Sequence, residues 1–263
     1  MTTSKSSGIH PQAIVDPDAR LADNVTVGPW SYIGPGVEIG EGTEVMSHVV
    51  IKGPTVIGSG NRIFQFSSIG EECQDKKYNG EPTTLVIGDN NVIRENCTIH
   101  RGTVQDRGET RIGDNNLLMA YVHVAHDCVV GNDTILANCA TLAGHVTIGD
   151  HAILGGGTMV HQFCHIGMHS MSADGSIVLK DIPAYVMASG QSARPHGMNV
   201  EGLKRRGFSK DSLLTLRRAY KVIYRQGLTR EQALEELQNA YGDVPEVQPL
   251  IESLKIAERG IVR

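Results

Sequence analysis

Aliphatic residues recur at every sixth position along most of this chain. One series runs Val15, Leu21, Val27, Ile33, Ile39, Val45, Ile51, Ile57, Ile63 and Ile69 without a miss. It resumes in phase at Ile87, Ile93 and Ile99. After a slip of one residue it continues from Ile112 through Leu118, Val124, Val130, Leu136, Leu142, Ile148, Leu154 and Val160 to Ile166. Ser172 interrupts the series and Val178 restores it. A glycine often follows the aliphatic residue, as in Ile33-Gly34, Ile57-Gly58 and Ile148-Gly149. A period of six matches neither an amphipathic helix nor simple strand alternation. It predicts a short strand and a turn, repeated and wound into a parallel β-helix. Three hexads close a triangular coil of about 18 residues, with the aliphatic slots facing inward and stacking on one another. Each slot contributes about 1.5–3 kcal/mol when fully buried. The period alone does not set the hand of the coil.

Two polar, glycine-containing segments leave the pattern, at about 71–86 (EECQDKKYNGEPTTLV) and 101–111 (RGTVQDRGETR). They read as loops thrown out of the solenoid, either tolerated insertions or carriers of binding residues on a rigid scaffold. The period ends near Pro195, which divides the chain into a β-helix over 1–194 and an α-helical unit over 195–263. Ser209 is placed to cap a helix through about Gln226, with Leu213, Leu216, Tyr220 and Ile223 on one face. Thr229 and Gln232 form a capping box for a second helix through about Ala240. Pro245 opens a third helical stretch toward Ala257.

Composition narrows the class. The chain has 263 residues, 30 glycines and only 5% aromatics, which suits many turns around a narrow interior. A net charge of −5 argues against a nucleic-acid partner. No apolar run is long enough for a transmembrane segment, and Met1–His10 lacks the apolar core of a signal peptide. The expected location is cytoplasmic. Five cysteines show no paired spacing, so a disulfide framework or zinc ribbon is not expected. Between Lys204 and Arg230 lie nine basic residues against one acid, a solvated helix face or a dock for an acidic partner or phosphates.

Seven of the eleven histidines fall between His123 and His169. Coil arithmetic puts His126, Gly144 and Gln162 in one column along an edge, with His123, His145 and His161 beside it. An imidazole can take a proton from a hydroxyl. A glycine above it leaves a backbone N–H open to a developing oxyanion. Acyl transfer to an alcohol needs that pair and no cofactor. Surface turn histidines, or a metal site of the β-helix hydratase type, are the competing readings. Cys97, Cys128 and Cys164 fall where small residues pack and read as structural.

The strings LLMAYVHVAHDCVVGN (117–132), LAGHVTIGD (142–150), HQFCHIG (161–167) and NVEGLKRRGFS (199–209) resemble bacterial UDP-N-acetylglucosamine O-acyltransferases, as do QDKKYNGEP (74–82) and TIHRGTV (98–104). The resemblance spans nearly the whole chain. It implies a left-handed parallel β-helix with a C-terminal helical domain, a homotrimer with sites between subunits, and the first step of lipid A biosynthesis. In that step a 3-hydroxyacyl chain passes from acyl carrier protein to the 3-hydroxyl of UDP-N-acetylglucosamine.

Carried onto this sequence, the resemblance makes His126 the general base and Gly144 the oxyanion donor. It makes Asp75 a carboxylate that contacts the sugar and supports the base, from a neighbouring subunit. Gln74, Lys77, His123, His145, His161 and Gln162 line the sugar, diphosphate and acyl site. Asn199, Glu201, Arg205 and Arg206 match the nucleotide end. The sequence departs from the family at 169–175 (HSMSADG), where Ala173 and Asp174 follow Met171 in place of a glycine pair. A side chain there shortens the acyl pocket and predicts a preference for shorter chains. A related N-acyltransferase with an amine acceptor, a metal hydratase and a non-catalytic scaffold are the alternatives.

Overall fold

The computed structural model describes residues 8–263, so most of the polar start at Met1–His10 lies outside the described residues. The repeat is realised as three parallel sheets that form the faces of a triangular prism. The first face has nine strands, from Ile14–Val15 to Ile177–Val178, and the second has eight, from Arg20–Leu21 to His165–Ile166. The third has ten, from Thr26–Val27 to Arg194–Met198.

The slots pair residue for residue. On the first face Val15 lies beside Ile33, then Ile51, Ile69, Ile99, Val124, Leu142, Val160 and Val178. From Ile33 onward these side chains are buried, which is the stacked interior that the period required. Ser172 holds its slot fully buried, its hydroxyl 2.8 Å from Thr158 Oγ1.

Most corners are turned by one residue with positive φ, three places after a slot. Asn24, Asn90, Asn115 and Asp133 do this on the edge between the second and third faces. Asp127, His145 and Phe163 do it on the edge between the first and second. Asn and Asp tolerate this left-handed conformation, while an imidazole or phenyl there bears a cost of roughly 1–2 kcal/mol that its packing must offset.

Both excursions leave from the edge between the first and second faces, the first edge; the second edge joins the second and third faces, and the third edge joins the third and first. They run over 72–83, between strands Ser68–Glu71 and Thr84–Ile87, and over 101–108, between Thr98–His100 and Glu109–Ile112. Each is shorter than expected at its far end. The ladder starts early there: Thr84, Leu85 and Val86 pair with Glu109, Thr110 and Arg111, and Leu85 and Thr110 are buried. The first loop is pinned by Arg101. Its guanidinium donates to the carbonyls of Gly53 (2.9 Å) and Gly70 (2.7 Å) and to the Tyr78 hydroxyl (3.2 Å).

The last strand pairs antiparallel with Val186–Ser189, and helices follow: α1 Val200–Arg205, α2 Lys210–Arg225, α3 Arg230–Tyr241 and α4 Gln248–Ile256. Ser209 caps α2, and both halves of the Thr229–Gln232 box are formed at α3. Pro245–Val247 is a 3-10 turn leading into α4. The sequence reading missed α1, which Asn199 caps by accepting from Gly202 N–H. The helices bury Leu203, Leu216, Ile223, Leu237, Leu250 and Leu254 in a core of their own against Ala184 and Tyr185. Among the described residues no helix is long and apolar enough to cross a membrane.

Candidate active site

The first edge carries a cavity of about 1020 Å³. Asp75 and Lys77 reach it from the first excursion loop, and Thr103, Asp106 and Arg107 from the second. His126, His145, Gln162 and Phe163 reach it from successive coils. Asp75 therefore lines the cavity of its own chain. Its Oδ1 accepts the Lys77 N–H at 2.9 Å.

The carboxylate in contact with His126 is Asp127, a residue the sequence reading passed over. His126 Nδ1 donates to Asp127 Oδ2 at 2.9 Å, with the imidazole 16% exposed and the carboxylate fully buried. Thr103 donates to the same carboxylate from its backbone N–H (2.9 Å) and its hydroxyl (2.6 Å). Burial alone would raise the Asp127 carboxyl, but the bonds from His126 and Thr103 hold it below its ordinary value. An ionised carboxylate on Nδ1 keeps the proton there and leaves the Nε2 lone pair free to act as a base.

Gly144 packs against this ring. A Cβ at Gly144 would lie 2.5 Å from His126 Cε1 and 2.7 Å from Nε2, so only glycine permits the approach. Its N–H finds no acceptor among the described residues. The equivalent N–H groups on the second edge are capped by a side-chain oxygen one coil on: Asp89 by Asp114, Asp114 by Asn132 and Asn132 by Asp150, each at 2.7 Å. The prism thus presents a row of outward N–H donors. On the second edge carboxylates and amides fill it, and at Gly144 it stays open beside an imidazole. A developing oxyanion needs such a donor.

The other histidines divide by surroundings. His145 stacks on Phe163 (centroids 4.3 Å apart, 7° between planes) and meets His126 edge-on at 4.9 Å. Its Nδ1 lies 2.8 Å from Asp106 Oδ2. His123 lies on the first face with Nδ1 2.7 Å from the Thr98 hydroxyl, against His100. Burial pushes the His123 imidazole down to about 4 and lowers that of His100. Both are neutral near pH 7. His161 turns Nδ1 toward the Gln162 carbonyl, and Gln74 is exposed on the first loop.

The residues expected at the nucleotide and acyl ends stand elsewhere. Asn199, Glu201, Arg205 and Arg206 do not line this cavity in the same chain. Asn199 Nδ2 donates to the His169 carbonyl on the second edge. Met171 and Asp174 lie toward the third edge, where Asp174 is exposed and Oδ1 accepts the Gly156 N–H at 2.8 Å. The buried thiols of Cys97 and Cys128 are pushed up to about 12 and that of Cys164 to about 11 by desolvation, which fits a structural role.

His126, Asp127 and His145 offer ligand atoms within 4.8 Å of one another, a spacing that suits a cation. Hydrogen bonds already account for the set: Asp127 receives His126 and both Thr103 donors, and Asp106 receives His145.

Residues 181–262 match the family described as Udp N-acetylglucosamine O-acyltransferase, domain 2, and residues 109–144 match the bacterial transferase hexapeptide (six repeats). The chain is 63% identical over 255 residues to the acyl-[acyl-carrier-protein]–UDP-N-acetylglucosamine O-acyltransferase of Saccharophagus degradans, covering 97% of this chain and 99% of the relative. The enzyme of that name from Stutzerimonas stutzeri is 61% identical over the same shares. Among solved structures, LpxA from Acinetobacter baumannii superposes with a TM-score of 0.95 at 55% identity, over 97% of this chain and 99% of that one.

Proposed function

The chain belongs to the UDP-N-acetylglucosamine O-acyltransferase family, and on that premise we propose that it moves a 3-hydroxyacyl chain from acyl carrier protein to the 3-hydroxyl of UDP-N-acetylglucosamine, the opening step of lipid A synthesis. The observation that carries the mechanism is the trio at the first edge: an imidazole anchored by a buried carboxylate, with the open N–H of Gly144 beside it.

His126 Nε2 takes the proton of the sugar hydroxyl while Asp127 stabilises the imidazolium. The sugar oxygen attacks the thioester carbonyl, and the Gly144 N–H meets the oxyanion. The carbonyl re-forms as the C–S bond breaks, and His126 returns its proton to the thiolate. One C–O bond replaces one C–S bond, and no cofactor takes part. Asp75 and Lys77 hold the sugar and diphosphate from the first loop. Asn199, Glu201, Arg205 and Arg206 serve the nucleotide of a site shared between copies of a homotrimer. Gln74, His123, His161 and Gln162 complete the lining, and Asp174 with Met171 limits the acyl end. The exposed basic residues of α2, Arg217, Arg218 and Lys221 among them, give the acidic carrier protein a surface on which to dock.

The test mixes the purified protein, UDP-N-acetylglucosamine and a panel of 3-hydroxyacyl carrier proteins, and reads the product by mass. Acylated UDP-sugar is expected, with the shorter chains preferred. His126→Ala should lose about 10²–10⁴-fold in turnover, the usual worth of a general base, with its assembly intact. Turnover near the wild-type value would remove His126 from this role.

A further inference from the structure

The second excursion loop bolts onto both imidazoles of the cavity. Thr103 donates twice to Asp127 behind His126, and three residues later Asp106 Oδ2 lies 2.8 Å from His145 Nδ1. The loop is braced internally, since Gly108 and Asp106 donate their N–H groups to the Thr103 carbonyl at 2.9 and 3.3 Å. The His145 ring is fixed from two other sides, stacked on Phe163 and edge-on to His126. Its side chain is 15% exposed on the cavity wall. Two imidazole–carboxylate pairs therefore stand side by side: one uses a buried carboxylate of the solenoid, the other a loop carboxylate.

Resting on the transferase reading above, we propose that Asp106 is a positioning residue. It holds the proton of His145 on Nδ1, so that the Nε2 lone pair accepts a hydrogen bond from a donor group of the acceptor sugar. A neutral imidazole can carry its proton on either nitrogen, and the partner of one nitrogen decides which. A carboxylate at Nδ1 selects Nδ1–H and makes Nε2 an acceptor. With that carboxylate gone the proton can move to Nε2, which then meets the acetamido N–H of the sugar donor to donor, a clash that a hydroxyl would escape by turning to accept. Asp127 Oδ2 is 3.9 Å from His145 Nδ1, beyond hydrogen-bond length and already occupied, so it is not a substitute.

The test compares wild type, Asp106→Ala and Asp106→Asn by solid-state ¹⁵N spectra of histidine-labelled protein. The His145 ring signals are identified by their loss in His145→Gln. Wild type should show a protonated Nδ1 and a bare Nε2. In Asp106→Ala the proton should move to Nε2, and KM for the UDP-sugar should rise about tenfold, the worth of one hydrogen bond to the substrate, with kcat within about threefold. Asp106→Asn keeps an oxygen acceptor and should keep the wild-type tautomer with most of the affinity. A His145 tautomer unchanged in Asp106→Ala overturns the proposal, and so does a switched tautomer with an unchanged KM. The spectra need no turnover, so a failure of the transferase reading would show separately, as absence of acylated sugar from the wild-type protein.

Discussion

At the scale of single residues, the site depends on how close two atoms of successive coils can come. Gly144 has an ordinary backbone conformation, so alanine there strains no dihedral; its cost lies in the 2.5 Å contact with the His126 ring. Gly144→Ala should push that ring off the open N–H and lower kcat by about 10²–10³-fold, the range for losing an oxyanion donor, while the melting temperature stays within a few degrees of wild type. Steady-state kinetics beside a thermal melt checks both halves, and kcat within threefold of wild type would mean that the column is not the reacting centre. The column His126–Gly144–Gln162 was legible in the sequence because from Val124 to Val178 the coils of that face have the same length. Asp127 was not. It turns the corner with φ 58 and folds its side chain under its neighbour, and the period says nothing about corner conformation. Asp106 lies 39 residues from His145 in a segment without any period, so no spacing argument reaches it.

At the scale of elements, the slot rule has an informative exception. Read by the rule alone, Ser172→Val fills an apolar position and stabilises the coil. The hydroxyl, however, accepts the Gly155 N–H at 3.2 Å and meets Thr158 Oγ1 at 2.8 Å in a fully buried setting. Removing one member of a buried pair outweighs the methyl groups gained, so Ser172→Val should lower stability by about 1–3 kcal/mol. Denaturant midpoints of the two proteins decide it, and a higher midpoint for the valine variant would show that the slot outranks its polar partner. The helices teach the same lesson about legibility. α2 and α3 were readable because Ser209 and the Thr229–Gln232 box mark their starts ahead of long apolar faces. α1 has six residues and only Leu203 buried, too little for a 3.6-residue period to register.

At the scale of the whole molecule, the parts expected to hold one substrate stand on different edges of the prism. His126, Asp75 and Lys77 line the cavity of the first edge, while Asn199 is tied to His169 on the second, with Arg205 and Arg206 on the same helical run. If those parts hold one nucleotide sugar, the site needs more than one chain, and the proposed ring of three supplies it when each first edge faces the next copy's second edge. Complementation tests this. On the proposed assignment His126→Ala lacks the base, and Arg205→Ala/Arg206→Ala lacks the two guanidinium groups proposed to grip the nucleotide, so each parent assembly of the proposed trimer should be nearly inactive. In a trimer that contains both variants a site is whole when the base comes from one variant and the nucleotide end from the other, which cyclic symmetry allows in about a third of sites. Co-expressed, differently tagged chains purified through both tags should therefore recover a substantial fraction of wild-type turnover. Mixed trimers as inactive as their parents would place base and nucleotide end in the same chain and break the shared-site arrangement. Full activity of the double arginine variant alone would remove Arg205 and Arg206 from substrate binding. Because the mixed trimers contain no wild-type chain, any turnover they recover above both parents has to arise across a contact between copies.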